Sequence, residues 1–224
     1  MEASAIVFYL GPLAITSVVV TTWGIILVLG VFCWLVTQRL SIDPGPLQAM
    51  LEGVVTAMEE SIEALLPGRS RQLLPFIATL WIYIVIANLV GLIPRLHSPT
   101  ANLSVTAGLA LLVFLSVHWF GIRSAGIRGY FKHYLRPTPL LLPFHLISEV
   151  TRTIALAVRL FGNIMSLELV ALLVLLVAGL LVPVPLLMLH VVEALVQAYI
   201  FGMLALIYIA GAMQSRQNYK GNNP

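Results

Sequence analysis

Five ionisable side chains lie where charge is expensive. Between residues 137 and 215 the chain carries two bases, Arg152 and Arg159, and three acids, Glu149, Glu168 and Glu193, among seventy-nine mostly apolar positions. In a membrane segment such groups must pair, meet water or serve an ion pathway. Glu149 and Arg152, three apart, have the spacing of an internal salt bridge as well as of a polar route. Arg159 has no acid three or four positions away on its own helix.

Helical angles sort these residues. Arg152, Arg159 and Asn163 are separated by seven and four positions and share one face. Glu168, nine positions past Arg159, falls on the opposite face. Further on, His190 and Gln197 share a face, with Glu193 close in angle to His190. Glu168 and His190 flank the step Val182-Pro-Val-Pro185 and are expected to approach each other across it. A carboxylate, an imidazole and an amide at such a junction can hold water and exchange protons near neutral pH. His97 and His118 read as ordinary packed or connecting positions, and His133 as a loop residue.

Other chemistry is thinly represented. The sequence has no Cys/His metal spacing, no Walker-type glycine loop and no GxSxG serine, and His145 with His190 makes no metal set. The single cysteine, Cys33, sits in an apolar run and reads as packing. No catalytic residue, metal or cofactor is expected.

The elements that must position these residues follow from composition. The 224 residues are 60% hydrophobic and only 9% charged, against about 25% charged in soluble domains. Such a chain cannot clothe itself in charge, so lipid is its solvent. The N-terminus lacks the basic region of a secretory signal. Apolar runs predict spanning helices at 18–38, 73–93 and 103–121. Two further segments, 139–181 and 186–213, are divided by proline and glycine and are too long to stand upright in a bilayer about 30 Å thick. The expected fold is all-α and integral to the membrane: a single domain, 1–224, of about five transmembrane helices. The last two would form a long, steeply tilted hairpin.

Between the first two spans, residues 48–66 show helical spacing of Leu51, Val54, Val55, Met58, Ile62, Leu65 and Leu66. Glu52, Glu59 and Glu63 lie opposite. This predicts an amphipathic interfacial helix with an acidic face, either solvated or docked on another subunit. Nine of the twelve bases cluster in alternate connections: Arg39, Arg69 and Arg71, then Arg123, Arg128, Lys132 and Arg136, then Arg216 and Lys220. Five crossings put all nine on one side. The positive-inside rule makes that side cytoplasmic, with the N-terminus outside. This clustering suits membrane topology and not nucleic-acid binding.

Several motifs are specific. Arg159-Leu-Phe-Gly-Asn163, then Glu168-Leu, then Gln197-Ala-Tyr-Ile-Phe201 resemble subunit a of F-type ATP synthases. Pro99-Thr-Ala-Asn102 with Val105-Thr106 resembles the start of that family's third helix, and the resemblance covers roughly residues 70–213. It implies a non-catalytic stator subunit of the Fo sector in a bacterial inner membrane, set against a ring of c subunits and held by peripheral-stalk b subunits. Two aqueous half-channels would carry H+ to and from the ring. Arg159 would face the ring carboxylate, and Asn163, Glu168, His190, Gln197, Glu193 and Glu149 would line the route. Thr153 in place of a proline, His145 in place of an asparagine, and the added Glu193 depart from the common pattern. They resemble the divergent N-type branch, for which Na+ is the alternative ion. A stand-alone transporter is a weaker reading, because no internal repeat is visible.

Overall fold

The computed structural model describes residues 6–10, 13–38, 41, 45–93, 96, 98–126, 142–178 and 183–214. Six helices carry the fold: α1 Ser17–Thr37, α2 Pro46–Leu65, α3 Ser70–Val90, α4 Leu103–Ala125, α5 Leu142–Ala178 and α6 Pro183–Gln214. All but α2 are long and apolar enough to cross a membrane. The expected architecture of about five apolar helices of spanning length is thus observed. An antiparallel pair of short strands, β1 Ile6–Leu10 and β2 Leu13–Thr16, precedes α1. The sequence reading had assigned no element there. Each of its spans is found, with ends displaced by a few residues. The predicted ends of the 139–181 segment, together with Arg39, Arg95, His97, Arg128, Lys132, His133, Arg136, Val182, Arg216 and Lys220, lie outside the described residues.

Helices α3 and α6 pack closely along one stripe. On α3, Leu73, Ile77, Leu80, Ile84 and Ala87 are buried at alternating spacings of four and three, a single stripe. Opposite them α6 presents Ala194, Ala198 and Gly202 at four-residue intervals, then Ala205. Lipid gives no hydrophobic drive to helix association, so close approach over small residues has to supply it through dispersion and interhelical hydrogen bonds. Gly202 marks the limit. A Cβ built there would overlap the Trp81 indole, whose Nε1–H donates to the Tyr199 carbonyl at 3.4 Å and whose ring stacks on Tyr199.

Against this pair lie α4 and α5, and α5 runs antiparallel to α6. Asn163 of α5 meets Gln197 of α6, and Arg152, eleven residues earlier, meets Tyr208, eleven residues later. Residue Asn102 caps α4, its Oδ1 accepting from Ser104 N at 2.9 Å. At 37 residues, α5 is about 56 Å long, nearly twice the hydrocarbon thickness. A continuous helix of that length must incline or lie partly in the interface. The starts of α3 and α5 and the ends of α4 and α6 come to one end of the bundle. That end carries Arg69 and Arg71 before and at the start of α3, and Arg123 in the last turn of α4.

The outer elements are looser. In α1 only Ile25 is buried, and between α1, α2 and α3 runs an apolar groove of about 940 Å³. The acidic face of α2 is used partly at its own end. The Glu63 carboxylate accepts the Gly68 N–H at 2.6 Å across the turn into α3, and Ser70 Oγ donates to Glu59 at 3.2 Å.

Two predictions follow from these contacts. Gly202→Ala overpacks against a rigid indole and should lower unfolding stability in detergent by about 1–3 kcal/mol. Trp81→Phe in the same chain should recover part of that loss, because the two positions share one space. The Gly68 N–H, and after it Ser70, hold the Glu63 carboxyl below its ordinary range. That stabilisation is present above the unfolded carboxylate pKa and is lost as pH falls through the lower folded value. Glu63→Gln should therefore melt earlier than the parent at pH 7, with the difference closing below about pH 4.

Candidate functional site

A buried polar chain crosses the bundle where α3 meets α6. Asn88, fully buried, donates through Nδ2 to the Ala194 carbonyl at 3.4 Å. The small Ala194 side chain is what lets an amide reach backbone there. The Asn88 Oδ1 accepts from Thr100 Oγ1 at 2.6 Å, and Thr100 Oγ1 lies 2.6 Å from Ser98 Oγ. The Asn88 carbonyl lies 3.3 Å from His190 Nε2. Ser98 in turn gives its backbone N–H to Glu168 Oε1 at 3.1 Å. Glu168 and His190 are thereby joined through the α3–α4 connection, with Asn88 and the two hydroxyls as intermediates. His190 and Glu168 enter the chain through backbone groups, the Asn88 carbonyl and the Ser98 N–H, and the amide and hydroxyls between them satisfy one another.

The backbone allows this closeness at Gly91, where a Cβ would stand 3.0 Å from Ser98 Cβ and 3.1 Å from Glu168 Oε1. Half-buried Glu193 sits one turn beyond His190 on α6. One turn further, Gln197 is buried and accepts through Oε1 from Asn163 Nδ2 at 2.8 Å. Its own Nε2 has no acceptor among the described residues.

The predicted Arg152–Arg159–Asn163 face runs along the α6 side of α5. Its two ends are tied: Arg152 lies over the Tyr208 ring, 5.5 Å from the centroid, a cation–π geometry, and Asn163 holds Gln197. Between them Arg159 is exposed, and no hydrogen bond or ion pair to it is formed among the described residues. Thr151, Ala155 and Ser166 are also exposed along this helix, and Gly162 has open space where a Cβ would stand. The surface around the guanidinium is therefore low.

A second polar cluster sits at the other end of α5. Glu149 Oε1 lies 3.7 Å from His118 Nδ1 on α4. Arg152, Thr153 and Tyr208 line the same cavity, of about 30 Å³. Thr153 keeps the backbone N–H that a proline would lack, and its hydroxyl donates to the Glu149 carbonyl at 3.0 Å. His145 is exposed near the start of α5, toward the opposite end of the hairpin from His190. Among the described residues no group of three metal-ligating side chains is found.

Sequence reasoning placed Arg159, Asn163, Gln197, Glu168 and His190 in view but missed Asn88, Ser98 and Thr100. Asn88 had a signal: it is the one amide deep in an otherwise apolar helix, and buried amides need partners as charges do. His118 was passed over because its partner comes from another helix.

Comparison with known proteins agrees with this geometry. The family described as ATP synthase A chain matches residues 18–210. An ATP synthase subunit a 2 of Pelobacter propionicus is 65% identical over 96% of this chain and 94% of its own length. An ATP synthase subunit a 1 of Hahella chejuensis is 66% identical over 92% of this chain and 88% of its own. The ATP synthase subunit a of Legionella pneumophila strain Corby is 58% identical over 94% and 92%. With a matching hairpin of apolar helices and a family match across most of its length, the chain belongs to subunit a of the F-type ATP synthases, a multi-pass membrane component of that complex.

Proposed function

We propose that the exposed face of α5 around Arg159 is the stator surface that meets the c-ring, and that the two polar clusters of the hairpin are the inner ends of two half-channels for H+. The observation that carries this reading is Arg159 itself: a charge on a membrane helix, exposed and unpaired among the described residues. Its partner is then expected on another subunit. A guanidinium stays protonated at any working pH. Beside it an arriving ring carboxylate favours its ionised form and releases its ion. The same charge repels cations that would leak past the ring. Low neighbours such as Ala155 and Gly162 suit the close passage of another helix.

Position along α5 supports the separation of the two routes. Glu149 lies ten residues before Arg159 and Glu168 nine after, about 15 and 14 Å along the axis. One cluster, through His190, Asn88 and Glu168, serves the side facing out of the cell. The other, at Glu149, serves the basic and therefore cytoplasmic end of the bundle. The subunit performs no nucleotide chemistry, which belongs to its partners. The bacterial inner membrane is its location, and the apolar flank of α1 is the surface offered to the peripheral-stalk b subunits. Glu193, an added carboxylate beside His190, favours Na+ as the alternative coupling ion.

Arg159→Ala in the whole complex should abolish ATP-driven pumping and ATP synthesis while membrane insertion is retained. Normal coupled pumping would sink the assignment, and a requirement for Na+ in the parent complex would select the alternative ion. Glu168→Gln and His190→Ala should each slow passive proton conduction through Fo by roughly tenfold or more, as loss of a positioned acid–base group does. Combined, they should cost less than the product of the single effects, because one hydrogen-bonded chain is interrupted twice. Simple additivity would remove the proposed coupling.

A further inference from the structure

His118 has no part in the proposed mechanism. It lies on α4, in a span where a packed histidine needs no charged neighbour, yet Nδ1 stands 3.7 Å from Glu149 Oε1 on α5. The same Nδ1 is 2.9 Å from the Phe114 carbonyl, one turn back. A carbonyl accepts only, so that contact places a hydrogen on Nδ1 and leaves Nε2 as the other ring nitrogen, with its lone pair free in the neutral ring. The ring also packs on Phe114, with centroids 4.4 Å apart, which holds its plane. Imidazole and carboxylate are both only partly buried, at 29% and 16% exposure. The adjoining cavity is large enough to hold a water molecule.

We propose that His118 is a positioning residue of the cytoplasmic half-channel, which when protonated holds Glu149 as the ionised proton acceptor at the channel mouth. The proposal rests on the stator reading above. In the cycle, water delivers a proton to Nε2 of His118. The resulting imidazolium stabilises the Glu149 carboxylate, which accepts a proton from, or returns one to, the route beside Arg159. The other groups around the pair are accounted for: Arg152 is drawn over Tyr208, Thr153 donates to backbone, Arg123 is exposed five residues on along α4, and His145 is exposed one turn before Glu149.

The test uses ATP-driven proton pumping by the whole complex in vesicles, measured from pH 6 to 8. His118→Asn keeps an amide N–H near the Nδ1 position to donate to Phe114 but cannot titrate. Pumping should fall roughly three- to tenfold at pH 6, and the gap to the parent should narrow toward pH 8, because only an imidazolium holds the carboxylate. His118→Lys, with a charge that persists across the range, should hold its rate at pH 8 above that of His118→Asn. In a Glu149→Gln background, His118→Asn should change nothing further. A parent-like rate and profile in His118→Asn, or a loss equal at both pH values, would overturn the proposal, the latter because it marks packing alone. If Arg159→Ala is inactive while the His118 variants match the parent, only this inference fails. Coupled pumping in Arg159→Ala would instead remove the stator reading beneath it.

Discussion

The close approach of α3 to α6 is the contact on which the remainder depends. Small residues at Ala194, Ala198, Gly202 and Ala205 bring the two backbones near enough for Asn88 to bond a carbonyl of the facing helix. Trp81 covers Gly202 and fixes how far the helices can slide. In lipid this matters twice. Dispersion over the small stripe supplies association that hydrophobicity cannot, and the same closeness leaves buried polar groups within reach of partners. A larger residue at position 194 would push the α6 carbonyl from the Asn88 amide and orphan a buried donor, at a cost of about 1–3 kcal/mol.

From that fixed pair the polar chain extends outward through groups that satisfy one another. Ser98 and Thr100 belong to the connection between α3 and α4, not to a spanning helix. Their position is set by Glu168, which receives the Ser98 N–H, and by Gly91, which makes room for both. Irregular backbone at this depth is tolerated only when protein or water satisfies it. The carboxylate thus secures the connection as well as serving the proposed route. A proton taken up by Glu168 would weaken the acceptor that holds Ser98, so on the proposed reading loading of this cluster and geometry of the connection are linked.

Much of this was legible from residue types and spacing. Helical period and apolar length found all five spans and the amphipathic α2. Angles along α5 put Arg159 with Arg152 and Asn163 and set Glu168 opposite, which is the arrangement observed. Three things were not legible. The strand pair before α1 has no alternation to distinguish it from a continuing apolar run. The link between Glu168 and His190 passes through Asn88, and a search for ionisable groups overlooks an amide. The His118–Glu149 pair joins helices whose register no local pattern reveals, because it depends on how α4 packs along α5.

On the proposed reading, the hairpin's length lets a single helix serve both routes. A helix that only just crossed the bilayer would place Glu149 or Glu168 in water and leave Arg159 alone in lipid. At about 56 Å, α5 carries both carboxylates with the guanidinium between them. Rigidity matters as much as length. Thr153 stands where a proline would remove a backbone hydrogen bond, and α5 runs unbroken from Leu142 to Ala178. Tied to α6 at Arg152 and Asn163, the helix holds Arg159 at a fixed height between its two anchors. On the proposed reading that fixed height is what a passing carboxylate requires: a charge that attracts it at one point of the rotation and does not follow it away.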